Sequence, residues 1–496
     1  MSLSQLAVNC TSSVISYPTI FGAQFTAIEA ALVQNYSTFV LGSSNFNHGD
    51  IEGKNLSFCN VTLTHTHPGQ NDTIKTKVWL PIQPAWNSRL QAVGGAGYVA
   101  GLQAFTDNEM SGAIGEGYAT VTSNGGVPNE FLSDWALLSP GNVDLFALQN
   151  FGHVALKDSA IAAQSVVESF YGTKANFSYW SGCSQGGRQG LMFAQKYPEV
   201  FDGIAASSPA IQWDKLALAV QFPQQIMHER GEYPNPCEID ALTTAAIADC
   251  GKGGIIDDPD SCHFDPYTLV GTVVNCTSSG TGLKITEAAA VVADAAWNGA
   301  RDADGKFLWY TPGHAANLTA PILGVARTTC STNGTCTASD ISLLTDWIRF
   351  FVEKDPNFDF NSMSREDYVH AFRTNVLEYS DFGTASPDLS EFRKAGGKMI
   401  TYQGLADEII PFRSTRYYYD TVTALDPNVH DFYRLFESPG LGHCYGGVGG
   451  YPSGTFDALV KWVEEGVVPE LLEATSITNR STILFPYSTK AEVKTE

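Results

Sequence analysis

Residues 176–209 read NFSYWSGCSQGGRQGLMFAQKYPEVFDGIAASSP, and the alternation inside this stretch sets the fold class. NFSYWSG is a short run of aromatic and small residues bounded by turn formers, which is a strand signal. RQGLMFAQKYPEVF carries apolar residues at helical spacing, and DGIAASSP reads as a strand again. Strand, helix and strand in succession predict a parallel sheet with crossover helices. Upstream, KTKVWLP (75–81), SRLQAVG (88–94) and GEGYATVTSN (115–124) read as further strands, and the segment from Gly141 to about Tyr171 as one or two helices. Downstream the alternation stops. Residues 211–394 hold helical stretches, such as 285–300 and 341–354, between loops rich in Gly, Asp, Thr and Cys. It resumes with the strand KMITYQG (398–404), the helix PFRSTRYYYDTV (411–422) and the strand DFYRLFES (431–438). The reading is a doubly wound α/β body, residues 1–210 and 395–496, interrupted by an insertion over 211–394. Closure entropy grows slowly enough with loop length to tolerate an insertion of that size.

Between the first strand and its helix lies Gly182-Cys183-Ser184-Gln185-Gly186, a Gly-x-Ser-x-Gly frame. The frame alone is a weak signal. Its position strengthens it, because a strand-to-helix turn exposes a serine Oγ at the carboxyl edge of the sheet. The helix behind it offers unpaired N–H groups and a positive dipole end. A nucleophilic serine needs a base, and the base needs an orienter. With this kind of elbow the chain order is Ser, then Asp or Glu, then His. KMITYQG runs into Asp407, and DFYRLFES runs into a Gly-rich loop carrying His443. Asp407 also reads as a cap for the helix starting near Pro411, and His443 as a plain loop histidine. The cysteines bear on that choice. Cys183 precedes Ser184, and Cys444 follows His443. A disulfide between them would set their Cα atoms about 5.5–6 Å apart, drawing Ser184 and His443 within hydrogen-bond reach. On this reading the thiol is a brace and not a second nucleophile.

The 496 residues are 44% hydrophobic and 16% charged, the balance of an ordinary folded protein. A formal charge of −23 argues against nucleic acid and against anionic membrane surfaces as partners. No apolar run reaches the roughly 18 residues of a membrane span. Ten cysteines without a C-x-x-C pair disfavour zinc and redox motifs. Together with Asn-x-Ser/Thr sequons at Asn9, Asn35, Asn55, Asn60, Asn71, Asn176, Asn275, Asn317, Asn333 and Asn479, they indicate an oxidising, secretory route. The N-terminus has no signal-peptide pattern, so a secreted, extracellular protein is expected with its signal peptide absent from this chain. Sequence proximity suggests Cys10–Cys59, Cys250–Cys262 and Cys330–Cys336, leaving Cys237–Cys276.

The pairing of Cys-Ser with His-Cys resembles the tannase and feruloyl esterase family. The resemblance covers most of the chain through WSGCSQGGRQGLMFAQKYPEVFDGI (180–204), GIIDDPDSCHFDP (254–266), RDADGKFLWY (301–310), TYQGLADEIIPF (401–412) and GLGHCYGG (440–447). It implies an α/β-hydrolase fold with a large inserted lid domain, and Ser184, Asp407 and His443 as the catalytic triad with Cys183–Cys444 as its bridging disulfide. It also implies a serine carboxylesterase acting on feruloyl and other hydroxycinnamoyl esters, as small phenolic esters or feruloylated polysaccharide. A tannase acting on galloyl esters is the alternative, and a non-catalytic binder of plant phenolics is the reading from another class. The oxyanion hole is expected from the N–H of Gln185 and from VGGAGYVAG (93–101), with Gly95 first and Ala96 next. The family's calcium loop is shortened here to CGKGGIIDDP (250–259), which keeps Asp257 and Asp258 but too few oxygen ligands for calcium. No metal and no cofactor is therefore expected. Trp213, Trp297, Trp309 and Tyr310 are candidates for packing a phenolic ring.

Overall fold

Nine strands form one mixed sheet in the computed structural model, which describes residues 3–276, 281–332 and 334–487. In chain order they are β1 (Gln24–Val40), β2 (Ile51–Thr66), β3 (Ile74–Gln83), β4 (Arg89–Val93), β5 (Ala119–Ser123), β6 (Phe177–Cys183), β7 (Gly203–Ser207), β8 (Lys398–Gly404) and β9 (Tyr433–Ser438). Across the sheet the order is β1-β2-β3-β5-β4-β6-β7-β8-β9. The first three strands run antiparallel and β3 pairs antiparallel with β5, whereas every pair from β5 to β9 is parallel. Parallel strands covered on both faces read as continuous runs of apolar and small residues. β6 is such a strand, buried at every residue after Phe177.

The helices that shape the site are α1 (Ala104–Gly115), α2 (Leu145–Gly152), α3 (Val154–Tyr171), α4 (Gln185–Lys196), α5 (Trp213–Arg230), α6 (Glu287–Asn298) and α7 (Phe412–Leu425). The segment from Gly141 to Tyr171 thus resolves into two helices. α4 ends before Tyr197-Pro198, where proline pushes its predecessor out of helical geometry. The hairpin of β1 and β2 has no counterpart among the strands expected from sequence. β1 has Val40 as its sole buried residue and its register is broken at several points, so no clean apolar alternation marks it.

Residues 208–397 contribute no strand to the sheet, although β7 and β8 are adjacent and paired, Gly203 with Lys398 and Ala205 with Ile400. α5 packs on α6 and on the helix Arg365–Tyr379. The expected helix over 341–354 divides into an α-helix, Ser342–Trp347, and a π-helical turn, Ile348–Val352. The disulfides are Cys10–Cys59, Cys183–Cys444, Cys237–Cys276, Cys250–Cys262 and Cys330–Cys336. Among the sequon residues Asn333 lies outside the described residues, Asn9 and Asn60 are half-buried, and the other seven are exposed. No helix among the described residues is long and apolar enough to cross a membrane.

Candidate active site

β6 ends at Cys183 and α4 begins at Gln185, so the chain turns within Ser184 alone. It does so at φ 60° and ψ −119°, a conformation that costs about 1–3 kcal/mol for a residue with a Cβ. The turn is held from both sides. Ser184 N–H donates to Ser207 O at 3.0 Å, and Arg188 N–H donates to Ser184 O at 2.9 Å. Glycine is required around it. A Cβ on Gly182 would lie 2.6 Å from the carbonyl carbon of Gly186, and one on Gly187 would lie 2.4 Å from Ser207 O. The Ser184 hydroxyl has no partner within the chain among the described residues, and the residue is half-exposed on the wall of a cavity of about 250 Å³.

Asp407 follows β8 and is 2% exposed. Its two oxygens have separate tasks. Oδ1 accepts from the N–H groups of Ile409 (3.0 Å) and Ile410 (2.8 Å), fixing the turn that leads into α7. Oδ2 accepts from Gln403 Nε2 (3.1 Å) and from His443 Nδ1 (2.9 Å). An ionised carboxylate only accepts, so Nδ1 carries the proton and Nε2 is left as a base. Asp407 therefore orients His443 and holds the turn before α7, but it does not cap that helix, whose N-cap is Pro411 with no side-chain cap. Burial alone would lower the His443 pKa, but the Asp407 charge and hydrogen bond, joined by the charge of Glu408, raise it above the ordinary imidazole value. Glu408 Oε2 also accepts from the His443 N–H at 3.1 Å. Burial, then repulsion from Asp407, raises the Glu408 carboxyl. Sequence reading passed over Glu408, since a glutamate on a turn carries no local mark of that contact.

Cys183 and Cys444 are bonded with Cα atoms 6.0 Å apart, 261 residues apart in sequence. Ser184, His443 and both cysteines line the same cavity, with Gln185, Gly95, Ala96 and Gly97. The Gln185 N–H has no acceptor among the described residues. Gly95 needs correction as an oxyanion donor: its N–H donates to Gln189 Oε1 at 2.8 Å. Ala96 N–H is likewise committed, to Val99 O at 3.0 Å. The next residue, Gly97, has φ 54° and no acceptor for its N–H among the described residues. Gln189, fully buried, also donates to Ala100 O at 3.2 Å and so clamps both ends of the glycine loop.

The cavity walls are apolar: Leu216, Val220, Leu343 and Leu344 from the insertion, with Phe105, Ile409 and Ile410 from the body. Trp213 lines this cavity. Trp297 and Tyr310 line a different one beside His314 and Arg413, and Trp309 lies over Lys215. A larger groove of about 880 Å³ holds none of Ser184, Asp407 and His443.

The shortened loop does not fit calcium. Asp258 Oδ1 accepts from the Asp260 N–H, capping a 3-10 turn, and Asp260 is paired with Arg413 and Arg416. Elsewhere His65, His67 and Asp158 bring ligand atoms within 4.8 Å of one another. There, however, His67 lies between Asp72 (2.6 Å) and Asp158 (2.8 Å), and Lys157 pairs with Asp158 at 2.9 Å. His67 and Asp158 are thus already engaged with partners.

Comparison with known proteins gives the family. The family model described as tannase and feruloyl esterase matches residues 59–496. The probable feruloyl esterase of Arthroderma benhamiae is 37% identical over 434 residues, spanning 85% of this chain and 79% of that protein. The solved tannin acyl hydrolase from Aspergillus niger superposes with a TM-score of 0.84 at 26% identity, over 98% of this chain and 93% of its own. Feruloyl esterase B from Aspergillus oryzae, at 24% identity and a TM-score of 0.78 over 97% and 96%, shares the fold. The chain belongs to the tannase and feruloyl esterase family of carboxylic ester hydrolases.

Proposed function

We propose that the protein is a secreted serine esterase of α/β-hydrolase type that cleaves feruloyl and related hydroxycinnamoyl esters of plant cell-wall material, with residues 211–394 as the lid over its site. One observation carries the reading. A serine on a strained elbow and a histidine held by a buried carboxylate open into one apolar cavity. Ser184 Oγ attacks the ester carbonyl while His443 Nε2 takes its proton, and Asp407 stabilises the imidazolium. The developing oxyanion receives the Gln185 N–H, and the Gly97 N–H is the second donor in place of Gly95. His443 then protonates the departing alcohol, leaving an acyl-enzyme. Water attacks this next, giving its proton to His443, which passes it to Ser184 Oγ as the acyl–serine bond breaks and the acid leaves. The positive end of α4 adds to the field at the oxyanion.

The walls favour feruloyl over galloyl esters. A galloyl ring carries three hydroxyls, and walls made largely of Leu216, Val220, Leu343 and Leu344 cannot bond all of them. Trp213 offers a face for an aromatic acid. A binder without activity would have no use for a strained serine and an oriented base. Secretion is supported by ten cysteines with none free and by the exposed sequons, which are the glycosylation sites on this reading. Parallel rates on methyl ferulate and methyl gallate test the substrate class, and faster turnover of the gallate would make the protein a tannase. Ser184→Ala is expected to leave the fold intact and lower turnover by about four orders of magnitude or more. Activity within tenfold of the parent would remove Ser184 from the reaction.

A further inference from the structure

Glu109 is out of keeping with the rest of the Ser184 cavity. It lies on α1 one turn after Phe105, so both side chains reach the cavity from one helix face. The residue is 5% exposed, its Oε2 has no hydrogen-bond partner, and it forms no ion pair among the described residues. Around it the cavity presents leucine, isoleucine, valine and aromatic carbon. A buried carboxyl without a partner destabilises a fold, and native structures rarely keep one without a use.

We propose that Glu109 is a specificity-determining residue whose carboxyl hydrogen-bonds a ring oxygen, hydroxyl or ether, of the aromatic acid being released. This rests on the esterase reading above. Burial pushes the carboxyl well above its usual range, which favours its neutral form. A neutral carboxyl has one O–H donor and one acceptor, which suits a methoxy oxygen, a phenol, or both together. An apolar site that holds a carboxylic acid neutral so that it can donate is an established way to bind oxygen. It also limits the choice. One such group serves an acid with one or two ring oxygens on an otherwise apolar body, and leaves a third unpaired.

The test is the ratio of kcat/KM for methyl ferulate to that for methyl cinnamate, which lacks the ring oxygens. In Glu109→Leu this ratio is expected to fall by about tenfold to a hundredfold, the effect of one lost buried hydrogen bond. In Glu109→Gln, which keeps a donor and an acceptor, it stays within about threefold of the parent. The melting temperature of Glu109→Leu should equal or exceed the parent's, since an unpaired carboxyl is replaced by carbon. If the leucine variant does not fold, the same ratio is read with Glu109→Met. An unchanged ratio, or equal losses on both esters with a lower melting temperature, overturns the proposal. A parent enzyme that cleaves neither ester instead overturns the esterase reading on which it rests.

Discussion

Ser184 and Cys444 both sit at positive φ, 60° and 59°, on either side of one disulfide bond. Cys444 is held there by its sulfur and by Tyr402, whose hydroxyl donates to the Cys444 carbonyl at 2.7 Å. The elbow has no slack to give. Gly187→Ala, whose Cβ would meet Ser207 O at 2.4 Å, is expected to destabilise the protein by about 1–3 kcal/mol, read as a lower urea midpoint. The titration of His443 follows from its neighbours. In the proposed mechanism it must be neutral to accept the Ser184 proton, so kcat/KM on a neutral ester should fall on the acid side around a pKa above the ordinary 6.5. The same shift makes protonated His443 stabilise the fold, fully below its unfolded pKa and no longer once pH rises through the folded value. Glu408→Gln removes one of the raising charges while its amide oxygen still accepts from the His443 N–H. The acid limb should then move to lower pH, and a limb that stays put would remove Glu408 from the electrostatics of the site. These couplings were partly hidden in the sequence. Ser184, Asp407 and His443 are marked by local context, each on a loop after a strand. Gly95 is not, because Gln189, which takes its N–H, lies 94 residues away.

At the scale of elements, Cys183–Cys444 ties the end of β6 to the loop after β9, with β7 and β8 lying between them in the sheet. It bridges the carboxyl edge where Ser184 and His443 line one cavity. Replacing both cysteines by alanine should lower turnover by about a hundredfold if the pair shifts by about 1 Å. Circular dichroism would check that the variant is folded, and a folded variant with near-normal turnover would reduce the bridge to a stabiliser. A chelator should change neither turnover nor melting temperature, because Asp258 and Asp260 already have partners. A loss restored by calcium would show ligands drawn from elsewhere. Legibility differed by strand for a physical reason. β6 to β9 are buried runs flanked by turn residues, and their pattern is unmistakable. β1 is an edge strand with polar and apolar residues in no steady alternation, so burial leaves no imprint on it. Glu109 went unremarked for a similar reason, since nothing near it in sequence marks the cavity it lines.

For the whole molecule, the α/β alternation was legible because each unit is local, while the adjacency of β7 and β8 across residues 208–397 is not local at all. That adjacency has a consequence for biosynthesis. A ribosome adding about 5–20 residues per second takes about 10–40 s to make those 190 residues. Throughout that interval β7 is the open edge of a half-built sheet, with backbone donors and acceptors free to pair with another nascent chain. A fragment ending at residue 396 should therefore sediment as aggregate when the full chain does not. The molecule is most vulnerable before it can catalyse anything, and the last two strands of this sheet to be made both close the edge of β7 and bring Asp407 and His443 to the side of the serine.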